Sequence, residues 1–227
     1  MKIVITIDGP SGSGKSTLAK NLSRNLPNFT LVDSGSYFRW VTYLCLKDNV
    51  DLYNRREVYN HVKEKLDLDF SDNKKTDEMV VKYDKKKIND FIFTTNISRQ
   101  VSEPAQNYLL RKLIRKKLRK LAEKCNVVLA GRDTGSYTFP DAGLKIFLTA
   151  DIEKRAKRRF DELKKTGREV DFEEVLYQMK ARDRRDLEEK DSPLVKPRGA
   201  VLIDNSNLTC KQTLEKVLAI LKKKKIA

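Results

Sequence analysis

Short apolar runs recur along the chain at residues 3–7, 30–32, 127–130, 144–148 and 200–203, each followed by a turn signal and a stretch of helical spacing. The runs are rich in Val, Ile and Leu rather than alternating with polar residues, the pattern of strands covered on both faces. Between them, Leu18, Leu22 and Leu26 repeat every four residues, and Leu110, Leu113, Ile114, Leu118 and Leu121 mark a longer helix. Ile152, Ala156, Phe160 and Leu163 mark another. Thr209 with Gln212 reads as a capping box that opens a last helix through Leu214, Val217, Leu218 and Leu221. Strand–helix alternation of this kind predicts an α/β fold with a mainly parallel sheet.

One segment breaks the rhythm. From about residue 66 to 95 the chain is charged and β-flavoured, with runs at 66–70, 79–83 and 91–95 punctuated by Asp72-Asn73 and Asp84-Lys85. This pattern predicts a small antiparallel insertion beside the main sheet, with turns at those two pairs.

The first strand runs into Gly9-Pro10-Ser11-Gly12-Ser13-Gly14-Lys15-Ser16-Thr17, which fits G-x-x-x-x-G-K-[ST] between a strand and a helix. Glycines let such a loop curl until successive N–H groups face phosphate oxygens, and the helix N-terminus adds positive potential. The motif sets Lys15 against β- and γ-phosphates and the Ser16 hydroxyl against Mg²⁺, partly through water. The third apolar run ends Leu129-Ala130-Gly131-Arg132-Asp133, with no Asp-Glu pair for a hydrolytic water. Discrete arginines are scattered through the chain instead, which favours phosphoryl transfer by charge neutralisation.

Charge changes the picture next. The 227 residues carry 48 basic and 32 acidic side chains, a net +16. Such a balance suits either an anionic ligand or a solvated lysine coat. Three widely spaced cysteines and one histidine exclude a disulfide framework and a Cys/His metal cluster. The opening apolar run is too short for a secretory leader and is interrupted by Asp8, and no stretch reaches the roughly 18 apolar residues of a membrane span. The cytoplasm is the expected location.

Several motifs together resemble bacterial cytidylate kinases: Asp8 through Lys15, Asp33-Ser34-Gly35, Gly131-Arg132-Asp133-Thr134-Gly135 and Phe139-Pro140-Asp141-Ala142. Leu144 through Ala150, Arg182-Asp183-Arg184-Arg185-Asp186 and Pro193-Leu194 extend the likeness over nearly the whole chain. The resemblance implies a P-loop NTPase three-layer α/β/α core, a nucleoside-monophosphate-binding part with the β insertion, and a mobile helical lid. In one domain of 1–227, the expected core is 1–33, 120–150 and 195–227, the acceptor part 34–119 and the lid 151–194. The implied activity moves the γ-phosphoryl group of ATP to CMP or dCMP with Mg²⁺, without nucleic acid or membrane, by a monomer.

The resemblance also implies roles, position by position. Gly9, Pro10, Ser11, Gly12, Ser13, Gly14, Lys15, Ser16 and Thr17 take ATP. Ser34 and Arg39 match ligands on the side of the CMP phosphate. Ser102 and Arg111 match the pair that reads the cytosine edge, and Asp186 matches a third base contact. Arg132 matches a phosphate ligand, Asp133 and Arg182 contacts to the sugar, and Arg158 and Arg159 the lid arginines. Cytosine offers one amino donor and two acceptors, which a carboxylate, a hydroxyl and a guanidinium can satisfy. Phe38, Phe93 and Glu189 stand where the family usually has Tyr, Arg and Arg, which leaves the choice between CMP and dCMP open.

Plainer explanations stand beside these. Arg155, Arg158 and Arg159 lie among Glu153, Asp161 and Glu162, a spacing that also makes surface ion pairs. The basic residues from Arg111 to Lys120 read as a solvated helix face, Arg111 excepted, and the cysteines as core fillers. Trp40, Tyr43 and Phe147 read as structural. A nucleic-acid-binding P-loop protein is the second reading, and its binding would fall steeply with salt.

Overall fold

A computed structural model of the chain describes residues 2–73, 78–165, 167 and 169–226. Strand β1 (Val4–Asp8) leads through the glycine-rich loop into α1 (Lys15–Asn25), then β2 (Phe29–Asp33) and α2 (Ser34–Lys47). Helix α3 (Arg55–Val62) precedes β3 (Leu68–Asn73), β4 (Glu78–Tyr83) and β5 (Lys86–Lys87). Three short helices follow, α4 (Asn89–Ile92), α5 (Thr95–Gln100) and α6 (Ser102–Ala105), before the long α7 (Tyr108–Lys124). The chain closes with β6 (Asn126–Ala130), a π-helical turn at Thr134–Thr138, β7 (Leu144–Thr149), α8 (Ile152–Lys165), α9 (Phe172–Glu188), β8 (Val201–Asp204) and α10 (Cys210–Lys223).

The five predicted apolar runs form one parallel sheet in the order β2-β6-β1-β7-β8. Both faces are covered, which is why the strands do not alternate. On one face Ile5, Ile7, Val128, Ile146 and Leu148 pack against Leu18 and Leu22 of α1 and Val217 and Leu221 of α10. On the other, Val32, Val127 and Leu129 pack against Val41 of α2 and Leu110, Ile114 and Leu118 of α7. The third cluster, Ala156, Val175, Leu176 and Met179, joins α8 to α9. Two helix starts carry side-chain locks that matter here. Asn107 accepts from the N–H groups of Leu109 and Leu110 at the start of α7, and Thr209 and Gln212 form the predicted capping box.

The insertion is antiparallel, as expected, but its details differ. Asp72 and Asn73 lie inside β3, opposite Met79 and Glu78, because Arg24 of α1 grips the Asp72 carboxylate with two bonds of 2.6 Å. Residues 74–77 of the insertion lie outside the described residues. Asp84 and Lys85 do turn, both at positive φ (49° and 61°), the two-residue geometry that matches strand twist. The 91–95 run is not a strand: Phe91 and Ile92 end α4, Phe93 and Thr94 turn, and Thr95 starts α5. Asn89 accepts from Val81 N–H and donates to Met79 C=O, so its side chain occupies the edge of β4 that a further strand would need. Of the cysteines, Cys45 fills the core as expected, whereas Cys125 is half-buried and Cys210 is exposed at the start of α10. Among the described residues no helix is long and apolar enough to cross a membrane.

Candidate active site

A parallel sheet delivers all its C-terminal ends to one edge, and here every strand ends on or beside a polar residue of one cleft. β1 ends at Asp8, β2 at Asp33, β6 runs into Gly131-Arg132, β7 ends at Thr149, and β8 runs into Asn205. The loop after β1 curls because Gly9, Gly12 and Gly14 adopt φ of 148°, 74° and 90°. Gly9 also lies so close to β7 that a Cβ there would sit 1.9 Å from Leu148 O. Lys15 Nζ donates to Pro10 O at 2.7 Å across the loop. Burial, and then the nearby Arg132 charge, lower its ammonium to about 7. Ser13 Oγ is buried without a hydrogen-bond partner, and Ser16 Oγ donates to Asp33 Oδ2 at 2.8 Å.

Asp8 fastens the next segment. Its carboxylate accepts from Thr134 N–H, Thr134 Oγ1 and Gly135 N–H at 2.9, 2.6 and 2.7 Å. Burial raises its pKa, and these bonds oppose the rise. The turn that carries Arg132 and Asp133 is thereby fixed to the donor strand.

Ser102, Arg111, Arg132, Arg182 and Asp186 line one narrow cavity beside this turn, and Glu189 lines it too. Arg132 pairs with Asp186. Burial lowers the pKa of Arg132, while Arg182 is lowered to about 9, first by the Arg132 charge and then by burial. Arg182 Nε and Asp186 Oδ2 are buried without partners. Such a cluster of desolvated cations, held together by too few carboxylates, is suited to an anion.

The remaining predicted residues sit around this cavity. Arg39 donates to Ile92 O at 3.2 Å and Ser98 Oγ at 2.9 Å, with its guanidinium 5.3 Å from the centre of the Phe93 ring. Ser34 Oγ is buried and donates to Ala130 O at 3.0 Å. Asp133 is shared by Arg111 at 3.3 Å and Arg115 at 2.7 Å. Arg158 donates to Asn205 Oδ1 and O, and Arg159 pairs with Glu162.

Three residues carry more than their sequence pattern suggests. Arg155 is not a surface residue: it is 6% exposed and donates to Ala150 O and to Ser11 O of the glycine loop. Its neighbours in the chain resemble those of any exposed basic helix, so no local signal distinguishes it. Asn205 Nδ2 donates to Ser13 O at 2.9 Å. Its place just after a parallel strand was the available signal. Arg115, read as part of a solvated face, turns inward to Asp133. Lys112, Lys116, Lys120 and Lys124 remain exposed on the outer side of α7. Two larger grooves lie elsewhere, one at the opposite end of the sheet beside Arg119 and Lys225 and one beside Lys145 and Arg198; neither contains a predicted site residue.

A parallel sheet wound over a glycine loop, a lysine at the head of α1 and a ring of arginines define a P-loop phosphotransferase. Similarity narrows the class. Residues 5–223 match the family model for cytidylate kinase. Relatives named cytidylate kinase include those of Caldanaerobacter subterraneus (40% identical, 98% of this chain and 96% of that protein). Others come from Clostridioides difficile (40%, covering 96% and 97%) and Bacillus subtilis (35%, covering 98% of each). A solved structure of an uncharacterized protein from Eubacterium ventriosum shares the fold at 17% identity (TM-score 0.51, 98% of this chain and 99% of that one). The chain belongs to the cytidylate kinase family and is a kinase.

Proposed function

We propose that the protein transfers the γ-phosphoryl group of MgATP to CMP or dCMP, giving ADP and CDP or dCDP. The observation that carries this reading is the cavity in which Ser102, Arg111 and Asp186 stand beside Arg132 and Arg182, next to the glycine loop. Asp186 accepts from the cytosine amino group, and Ser102 and Arg111 donate to its ring acceptors. Asp133 and Arg182 hold the sugar, and Ser34, Arg39 and Arg132 hold the acceptor phosphate.

An oxygen of the acceptor phosphate is ionised at neutral pH and is itself the nucleophile. It forms a bond to the γ-phosphorus as the bond to the bridging β–γ oxygen breaks, and ADP carries away the electron pair. No strong general base is needed. The chain's task is to align two phosphates, screen their repulsion and exclude water. Lys15 and the backbone N–H groups of residues 11–17 hold the donor phosphates, and Arg158 and Arg159 close over the moving group. Ser16 and Asp33 bring two hard oxygen donors together, a set that fits Mg²⁺ completed by phosphates and water. When bound, that ion would neutralise charge on the donor phosphates.

The same reading divides the chain into a core (1–33, 120–150, 195–227), an acceptor part (34–119) and a lid (151–194), acting as a cytoplasmic monomer. The inward turn of Arg111 and Arg115 supports mononucleotides over a polymer, since it removes two guanidinium groups from the basic face of α7. A coupled assay with MgATP against CMP, dCMP, UMP, AMP and shikimate tests the function. Turnover is expected with the cytidine nucleotides and lost on adding a chelator; activity on neither cytidine nucleotide overturns it. A sedimentation run at assay concentration tests the monomer.

A further inference from the structure

Helix α9 carries Met179, Arg182, Asp183 and Asp186 at three-and-four spacing, so all four lie along one stripe. The stripe meets both halves of the site. Met179 covers the glycine loop so closely that a Cβ on Gly12 would lie 2.8 Å from its Cε. Asp183 Oδ2 pairs with Arg155 Nη1 at 2.8 Å, and the same nitrogen donates to Ser11 O at 3.0 Å. Arg155 Nε donates to Ala150 O at 2.8 Å, which anchors the guanidinium to the end of β7. One turn further along α9, Asp186 pairs with Arg132, and Arg182 lies beside it. The Asp183 charge reaches Arg132 as well, where it adds to that of Asp186 against the larger effect of burial.

With side chains 7% and 18% exposed, the Arg155–Asp183 pair is no surface contact. Breaking a desolvated pair by removing one partner is costly, whereas an exposed pair holds little. We propose that Arg155 and Asp183 form a strut between the two nucleotide sites, and that Asp183 is a positioning residue through which a bound donor raises affinity for the acceptor. The inference rests on the phosphoryl-transfer reading above. Donor phosphates fix the backbone of Ser11 and Gly12. Arg155 and Met179 reference α9 to that backbone, so Arg182 and Asp186 are already set when the acceptor arrives. The acceptor then escapes the entropy of ordering them. By linkage, the acceptor raises donor affinity by the same factor.

The test is calorimetric titration of CMP into the full chain, with and without saturating Mg²⁺ and β,γ-imido-ATP. In the wild type the analogue is expected to tighten CMP on the order of 5- to 150-fold. Asp183→Asn keeps the shape and removes a negative charge near Arg132. Its ratio should fall towards one, while CMP alone binds no more weakly than to the wild type. A residue that merely touched CMP would lose affinity in both titrations and leave the ratio intact. Arg155→Lys should reproduce the loss, and the double variant should go no further than either single. It also carries the test if Asp183→Asn proves too unstable to titrate. A wild-type ratio near one, or an undiminished ratio in the variants, overturns the strut. Failure of the wild type to bind CMP at all removes the proposed function, and the strut with it.

Discussion

The two halves of the site are built on opposite plans. The donor half is nine consecutive residues whose backbone does the binding, clamped between strands and fixed by Gly9 against Leu148. The acceptor half is made of side chains from α2, α6, α7, the turn after β6 and α9, held by ion pairs. A backbone site is sensitive to any added atom but nearly indifferent to which side chains surround it. A side-chain site tolerates added volume and fails when one charge is removed. Variants in each half should therefore fail in different ways.

The largest effect falls on the one donor side chain that reaches the reacting phosphates. Lys15→Ala is expected to lower kcat by roughly 10²–10³-fold or more, the scale of losing one preorganised electrostatic contact, with the thermal midpoint unchanged or raised. A turnover within tenfold of wild type would remove Lys15 from the donor site. Next comes Gly9→Ala, which should cost about 3 kcal/mol through overpacking and backbone strain. For a chain of this size that lowers the midpoint by roughly 6–12 °C. A normal midpoint would show that the loop is not clamped, and the contrast would collapse from the donor side.

Asp186→Ala tests the other half. Losing a hydrogen bond to a charged group should weaken CMP about 10- to 150-fold while ATP changes by less than about threefold. Equal weakening of both nucleotides would break the separation between the halves. Phe93→Leu should raise the KM for CMP about two- to fivefold with kcat unchanged, since it removes only an exposed-ring contact to Arg39 of ~0.5–1 kcal/mol. A fall in kcat instead would mean that Phe93 shapes the reaction and not just its entry.

The smallest signal is a fraction of a proton. Lys15 is lowered from 10.5 to about 7, so the unfolded chain binds more protons than the folded one between those values, and this residue makes stability rise with pH across that window. Below about 7 its burial penalty is fully present. Donor phosphates favour the charged ammonium, so analogue binding near pH 8 should take up protons. Titrations in buffers of different ionisation enthalpy measure this, and Lys15→Met should abolish it.

The same contrast explains what could be read from the chain. The donor loop is contiguous, so nine letters with a strand before and a helix after define it. The parallel sheet was legible because five apolar runs cannot be solvated on either face. The acceptor residues are separated by up to 152 positions, from Ser34 to Asp186, and no local pattern links them; only their resemblance to a family gathered them. Arg155 and Asn205 escaped because their work is done by geometry: the same letters on a solvated helix or loop would carry no role. The 91–95 run misled because its apolar residues suit a strand, while one buried side chain, Asn89, decided the backbone by closing the edge of β4.

The central position of β1 bears on the order in which the chain assembles. Among the described residues its partners in the sheet are β6 and β7, which begin more than a hundred residues downstream. Asp8 likewise waits for Thr134 and Gly135. Contacts so distant along the chain must close large loops before they return any energy, which slows folding. During synthesis the glycine loop leaves the ribosome well before β6, the first strand to pair with β1 among the described residues, which starts at Asn126. The nucleotide loop is thus written long before the strands that set it, and a truncated chain that ends before β6 should hold it without a shape.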